Sequence, residues 1–170
     1  MLEEKLLKAL IKVESGGKAF DEKTGKIIIQ FEPSWFRKNT HFTPSGAWSL
    51  NGVERQSKEW KAFNSAFAIN PDTAMGSTSI GLPQIMGFHW ERLGYESVGA
   101  MWDDFKKSEQ HQIDALVRFI ESDRMLLKAF VAKDWHKMAF YYNGAGYAAQ
   151  AYRLGIKPYD VQLKEAYEKA

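Results

Sequence analysis

The sequence predicts an α+β fold that is predominantly α-helical, with one small β-hairpin. Three observations carry that expectation. Apolar residues recur at helical spacing over most of the 170 residues. One short stretch, Ile27 to Phe31, is instead β-branched and aromatic. No internal repeat, Pro/Gly/Ser linker or shift in composition divides the chain, so a single domain spanning 1–170 is expected.

Taken in order, Leu2, Leu6, Leu7, Leu10 and Val13 define a first helix that stops at the Gly16-Gly17 pair. From Ala19 to Glu32 the pattern is that of a hairpin, with turn residues from Asp21 to Lys26 and a strand from Ile27 to Phe31. A loop rich in Asn, Thr, Pro and Gly then runs from about Asn39 to Gly52. Beyond it the chain reads as helices: Glu54 to Ile69, a short one opened by Asn70-Pro71, Phe88 to Leu93, Val98 to Phe105 and Ser108 to Ser122. Arg124 to Phe130, Trp135 to Tyr142, Gly146 to Tyr152 and Tyr159 to Lys169 complete the series. Trp60, Phe63 and Phe67 share one face of their helix and are expected in the core.

Composition removes several classes of function. With no cysteine there is no disulfide, thiolate metal site or cysteine nucleophile. His41, His89, His111 and His136 lack any metal-ligand spacing, so no metal and no cofactor are expected. A net charge of +2 is too small to argue for nucleic acid, and no apolar run approaches the roughly 20 residues of a membrane span. Met1 to Gly17 alternates charged and apolar residues, unlike a secretory signal, and synthesis in the cytoplasm is expected. A monomer with no nucleic-acid partner and no stable membrane insertion is the corresponding expectation.

Glu14 resists a purely structural account. It lies four residues after Leu10 and seven after Leu7, on the apolar face of its helix, and in the last turn, where the macrodipole disfavours a carboxylate. Burial and dipole both raise a carboxyl pKa, which is what a general acid needs. The same spacing leaves open a solvated carboxylate at a frayed helix end. Glu32 follows the strand and precedes Pro33, which would end the pairing; it is either a surface acid or a carboxylate presented across a cleft from Glu14. Two such carboxyls are the minimum equipment for glycoside hydrolysis.

The segment Ser77 to Gly87 interleaves small residues with an amide, and Ser79 and Gln84 can hydrogen-bond a polar uncharged ligand; a connecting turn is the plainer reading. Tyr141 to Tyr147 joins aromatic rings to Asn143 and glycines, a combination suited to sugar faces and hydroxyls, or to a core. Tyr142, Tyr147, Trp35 and Trp48 are the aromatic candidates for a sugar-lined cleft.

Four pieces in this order carry a resemblance: Val13 to Gly17, Ile29 to Glu32, Ser79 to Phe88, and Lys133 to Trp135 with Tyr142 to Tyr147. Together they resemble the N-acetylmuramidase catalytic domain of bacteriophage endolysins and, more distantly, lytic transglycosylases and goose-type lysozymes. The resemblance implies a lysozyme-like fold and cleavage of the β-1,4 bond between N-acetylmuramic acid and N-acetylglucosamine, with bacterial peptidoglycan as partner. By position it implies Glu14 as catalytic acid, Glu32 as second catalytic carboxylate, and Ser79, Gln84, Tyr142 and Asn143 as sugar-binding residues. Pro33-Ser34-Trp35 and Pro83 depart from the family pattern in their local loops. Carboxyls about 6.5–9.5 Å apart would invert and carboxyls about 5–5.5 Å apart would retain configuration. The alternatives are a lytic transglycosylase, which yields a 1,6-anhydro product, and a peptidoglycan-binding module without chemistry.

Overall fold

The computed structural model describes residues 1–40 and 55–170. Most of the predicted Asn39–Gly52 loop, with His41 and Trp48, and the expected helix start at Glu54 lie outside the described residues. Ten helices and three strands occur among the described residues: α1 (Glu4–Ser15), β1 (Ile29–Phe31), α2 (Pro33–Asn39), α3 (Gln56–Ile69), α4 (Pro71–Gly76), β2 (Thr78–Ile80), β3 (Ile85–Met86), α5 (Val98–Lys107), α6 (Glu109–Glu121), α7 (Arg124–Ala132), α8 (Trp135–Tyr142), α9 (Tyr147–Leu154) and α10 (Tyr159–Lys169). The mostly helical α+β expectation holds. None of these helices is long and apolar enough to cross a membrane.

The chain divides into two compact units. One comprises Met1–Gly17 and Leu116–Ala170. In it α1 packs on α10, and α8 on α7 and α10, around Leu6, Leu10, Leu126, Phe130, Met138 and Leu163, all buried. The helix α1 ends as its sequence predicts: Gly16 adopts a left-handed conformation, φ +67°, its N–H donates to the Lys12 carbonyl, and the Gly17 N–H donates to that of Ile11. Asp123 and Asp134 cap α7 and α8 by accepting from first-turn N–H groups.

The other unit, Lys18–Ala115, holds the sheet. Its strand order is β1-β2-β3, antiparallel throughout, with Ile29 opposite Ile80, Phe31 opposite Thr78 and Ser79 opposite Met86. This corrects the expected hairpin. The Asp21 to Lys26 turn forms, but it is closed only by a bridge between Phe20 and Ile27; the strand Ile29–Phe31 pairs with β2, far away in the chain. Asp21, Glu22 and Lys23 offer no apolar face to pair against the isoleucines, whereas Ile80 and Thr78 do.

Three further corrections follow. Ser77 to Gly87 is itself a tight β-hairpin rather than an irregular connecting turn. Its polar residues are buried because they are bonded locally: the Thr78 hydroxyl donates to the Ala74 carbonyl at 2.7 Å. Pro33 does not merely end a strand but starts α2, since its missing N–H costs nothing in a first turn. Phe88 to Leu93 shrinks to a 3-10 turn at Gly87–His89. Of the aromatic stripe on α3, Phe63 is buried and stacks on Trp102 at 4.8 Å, while Phe67 is exposed.

The hairpin turn is pinned from below by Gln112, which is fully buried. Its Oε1 accepts the Leu82 N–H at 2.8 Å and its Nε2 donates to the Phe105 carbonyl at 2.9 Å. Gly81, at φ +70°, lets the chain pass; a Cβ there would lie 2.5 Å from the Gln112 Oε1. Gln112→Leu leaves a buried donor and a buried acceptor unmatched, and is expected to lower unfolding free energy by about 2–4 kcal/mol in denaturant titration.

Candidate active-site residues

Glu14 sits in the last turn of α1, partly buried. The left-handed cap at Gly16 turns the chain away immediately after it. The Tyr159 hydroxyl, at the start of α10, donates a short hydrogen bond to Glu14 Oε1. Loss of hydration pushes the Glu14 carboxyl up to about 7, against the opposing pull of that bond. Tyr159 is itself raised, by its burial and by the negative charge of Glu14, so its phenol stays a donor throughout the physiological range.

Tyr142 belongs to the same unit. It ends α8, its ring meets Phe119 edge to face at 5.5 Å, and it interacts electrostatically with Tyr159. Asn143 caps α8, exposed, with its N–H bonded to the Ala139 carbonyl. Tyr147, by contrast, is buried, with its hydroxyl 2.6 Å from His136 Nδ1; it packs the core rather than presenting a ring.

In the other unit, Glu32 stands between β1 and α2. Its N–H donates to the Ser77 carbonyl at 2.9 Å, and its own carbonyl accepts from Trp35 and Phe36 as α2 begins. Its carboxyl is partly buried and held above the ordinary carboxylate range by desolvation. Ser79 and Gln84 are turned to structural tasks. The Ser79 hydroxyl lies 3.1 Å from the Met86 sulfur, and the Gln84 amide donates to the Gly81 carbonyl at 2.9 Å. Gln84 holds φ at +51°, in the left-handed region. Trp35 is exposed, and its ring packs at a tilt against Phe88, 4.8 Å between centroids.

Two residues escaped the sequence reading. Tyr159 is 145 positions from Glu14, and nothing local announces that pairing. Glu59 did have a signal. It lies four residues before Phe63 and seven before Ala66, the same inward spacing that singled out Glu14. It is 5% exposed, and its Oε2 accepts the Phe31 N–H at 2.8 Å. Burial first, and then the nearby Glu32 charge, push its carboxyl up to about 7. Among the described residues no group of three or more His, Asp or Glu side chains is arranged to hold a metal ion.

A family model described as N-acetylmuramidase matches residues 3–170. The crystal structure of a Burkholderia AP3 phage endolysin is similar to the chain, with a TM-score of 0.78 and 33% sequence identity. The similarity covers 99% of this chain and 64% of that one, so the chain spans just under two-thirds of the length of that endolysin. No curated protein matches.

The raised Glu14 pKa makes a signed statement about stability. A carboxyl that titrates at about 7 when folded and near 4.5 when free favours folding less and less as pH rises through that window. Glu14→Gln removes the term while keeping an acceptor for Tyr159. The variant is expected to match the wild type at pH 4 and to exceed it at pH 8, by up to about 3 kcal/mol, in paired thermal melts.

Proposed function

The chain belongs to the N-acetylmuramidase family, a family of glycoside hydrolases acting on peptidoglycan, and from that premise we propose that residues 1–170 hydrolyse the β-1,4 bond between N-acetylmuramic acid and N-acetylglucosamine, with Glu14 as general acid. The observation that carries this reading is the partly buried Glu14 carboxyl, protonated up to about pH 7 and bonded on one oxygen by Tyr159. Because the phenol donates to Oε1, the acidic proton belongs on Oε2. A carboxylic acid so oriented can protonate a glycosidic oxygen as the bond breaks, and the carboxylate left behind is stabilised by the same phenol.

Glu32 is the second carboxylate in this proposal. It activates water or stabilises the oxocarbenium-like transition state, and both carboxyls together suffice without a metal or cofactor. Tyr142 and Asn143 act as sugar contacts, supported by the exposure of Asn143 and by the electrostatic interaction of Tyr142 with Tyr159. Ser79 and Gln84 contribute by shaping the β2-β3 hairpin, since their side chains are engaged there. The enzyme works as a monomer in this proposal. Made in the cytoplasm, it lyses bacteria once it reaches the wall.

Glu14→Gln is expected to lower release of reducing ends from purified peptidoglycan by at least about a thousandfold, with an unchanged circular dichroism spectrum. Wild-type turnover in that variant overturns the assignment. Mass spectrometry of the products separates hydrolysis from transglycosylation, because hydrolysed fragments carry one more water. The pH profile adds a finer test. Activity falls as pH rises through about 7, where Glu14 ionises. Tyr159→Phe removes the bond that favours the carboxylate, so the alkaline limb moves to higher pH.

A further inference from the structure

Between the Asp21 to Lys26 turn and the first turns of α3 lies an open groove of about 990 Å³, at the upper end of the range for small-ligand sites. It belongs entirely to the unit 18–115. Lys18, Lys23, Lys26, Arg55 and Lys61 line it, against two carboxylates, Asp21 and Glu22. Among the described residues that line it, five cations stand against two acids, an excess of three positive charges. Positive charge is therefore concentrated along this lining.

The acids are also the less available groups. Asp21 accepts the Lys23 and Thr24 N–H groups within its own turn, at 2.7 and 3.4 Å, and Glu22 faces Lys18 at 3.9 Å. Among the described residues no carboxylate pairs with Lys23, Lys26, Arg55 or Lys61. Lys26 Nζ instead lies 5.0 Å over the Trp60 ring, which fixes a cation beside an apolar surface. Arg55, Gln56 and Ser57 line the groove from the N-terminus of the 14-residue α3, whose N-cap residue supplies no side-chain acceptor. The helix thus adds its own positive end to the lysines.

The lining argues for the kind of anion. Among the described lining residues four of the five cations are lysines, flexible point charges, with a single guanidinium among them, so the groove lacks the convergent Arg forks that grip phosphate bidentately. Between the charges stand Ser57, Asn64 and Ser65, able to meet peptide groups, and Ile28 and Trp60 supply an apolar floor. Spaced carboxylates on an extended chain of amides with small apolar side chains are what this lining complements.

We propose that this groove binds the acidic stem peptides of peptidoglycan, holding them by their carboxylates while the glycan strand is cut. The inference rests on the muramidase reading and extends it: the enzyme recognises the peptide as well as the sugar. Stem-bearing glycan is then a better substrate than glycan stripped of its peptides by an amidase, and the preference weakens as salt screens the groove.

The test compares wild type with Lys23→Glu/Lys61→Glu, two exposed positions, on soluble glycan strands with and without stems. The double variant is expected to lose roughly tenfold in kcat/KM on stem-bearing strands, mainly through KM, and nothing on stripped strands. Lys23→Gln/Lys61→Gln should lose less than the charge reversal, and melting temperatures identify any loss of fold. Equal losses on both substrates, or none on either, overturn the proposal. A loss seen only on whole walls, and abolished when phosphate-rich polymers are extracted from them, overturns it in favour of a polyphosphate ligand. Failure of the wild type to cut either strand would count instead against the muramidase assignment itself.

Discussion

The short strand β1 is held on both edges, and the local structure around Glu32 depends on that. Three residues paired on one side only would be a marginal strand. On one edge Ile29 to Phe31 meet β2. On the other, side chains of α3 take the place of a neighbouring strand. Gln56 accepts from the Ile29 N–H at 3.0 Å and donates to its carbonyl at 2.9 Å, Glu59 accepts from Phe31, and the Trp60 indole donates to the Ile27 carbonyl at 3.2 Å. A helix cannot extend a β-ladder with its backbone, but residues at i, i+3 and i+4 present one face and can satisfy the alternate outward groups of a strand. The edge is thereby closed to other chains, and the backbone at Glu32 is fixed where β1 hands over to α2.

That device places an acid where acids are least stable. Glu59 must accept the Phe31 N–H from a nearly dry position, and the bond lowers its pKa less than desolvation raises it. Glu14 meets the same balance in the other unit with a phenol in place of a backbone amide, and there too desolvation prevails. The two carboxyls arrive at about the same pKa by the same physics but stand differently toward solvent. Glu59 is buried behind the strand it bonds, whereas Glu14 is only partly buried. Access, not pKa, distinguishes an acid that can give its proton to a substrate from one that holds a strand.

Much of this was legible in the sequence. The stripe of Leu6, Leu7 and Leu10 with Gly16 fixed α1 and turned Glu14 inward, because a helix period and a left-handed cap are local properties. Strand pairing was not legible. Ile27 to Phe31 announced a strand, but its partner was set by which distant segment could bury Ile80 against Ile29, and local turn chemistry pointed to the nearer, wrong neighbour. Pro33 misled for a related reason, since one residue both ends pairing and begins a helix. The hydrogen bonds that Ser79 and Gln84 make within the hairpin were not legible either, because a sequence does not show which hydroxyls and amides the fold itself engages. Glu59 was readable by the periodicity argument applied to Glu14, but the aromatic residues around it drew the stripe toward a purely apolar interpretation.

Net charge concealed the most. A sum of +2 over 170 residues suggests a surface with little electrostatic preference. Placement changes that conclusion. The lysines of the 18–26 segment and the basic first turns of α3 are far apart in sequence, and the fold sets them along one groove. A cleft with an excess of one sign focuses its field more strongly than the same charges scattered over a sphere, so attraction toward a polyanion survives a nearly balanced total. The folded arrangement of charge, rather than its sum, therefore sets the field this chain presents to an anion.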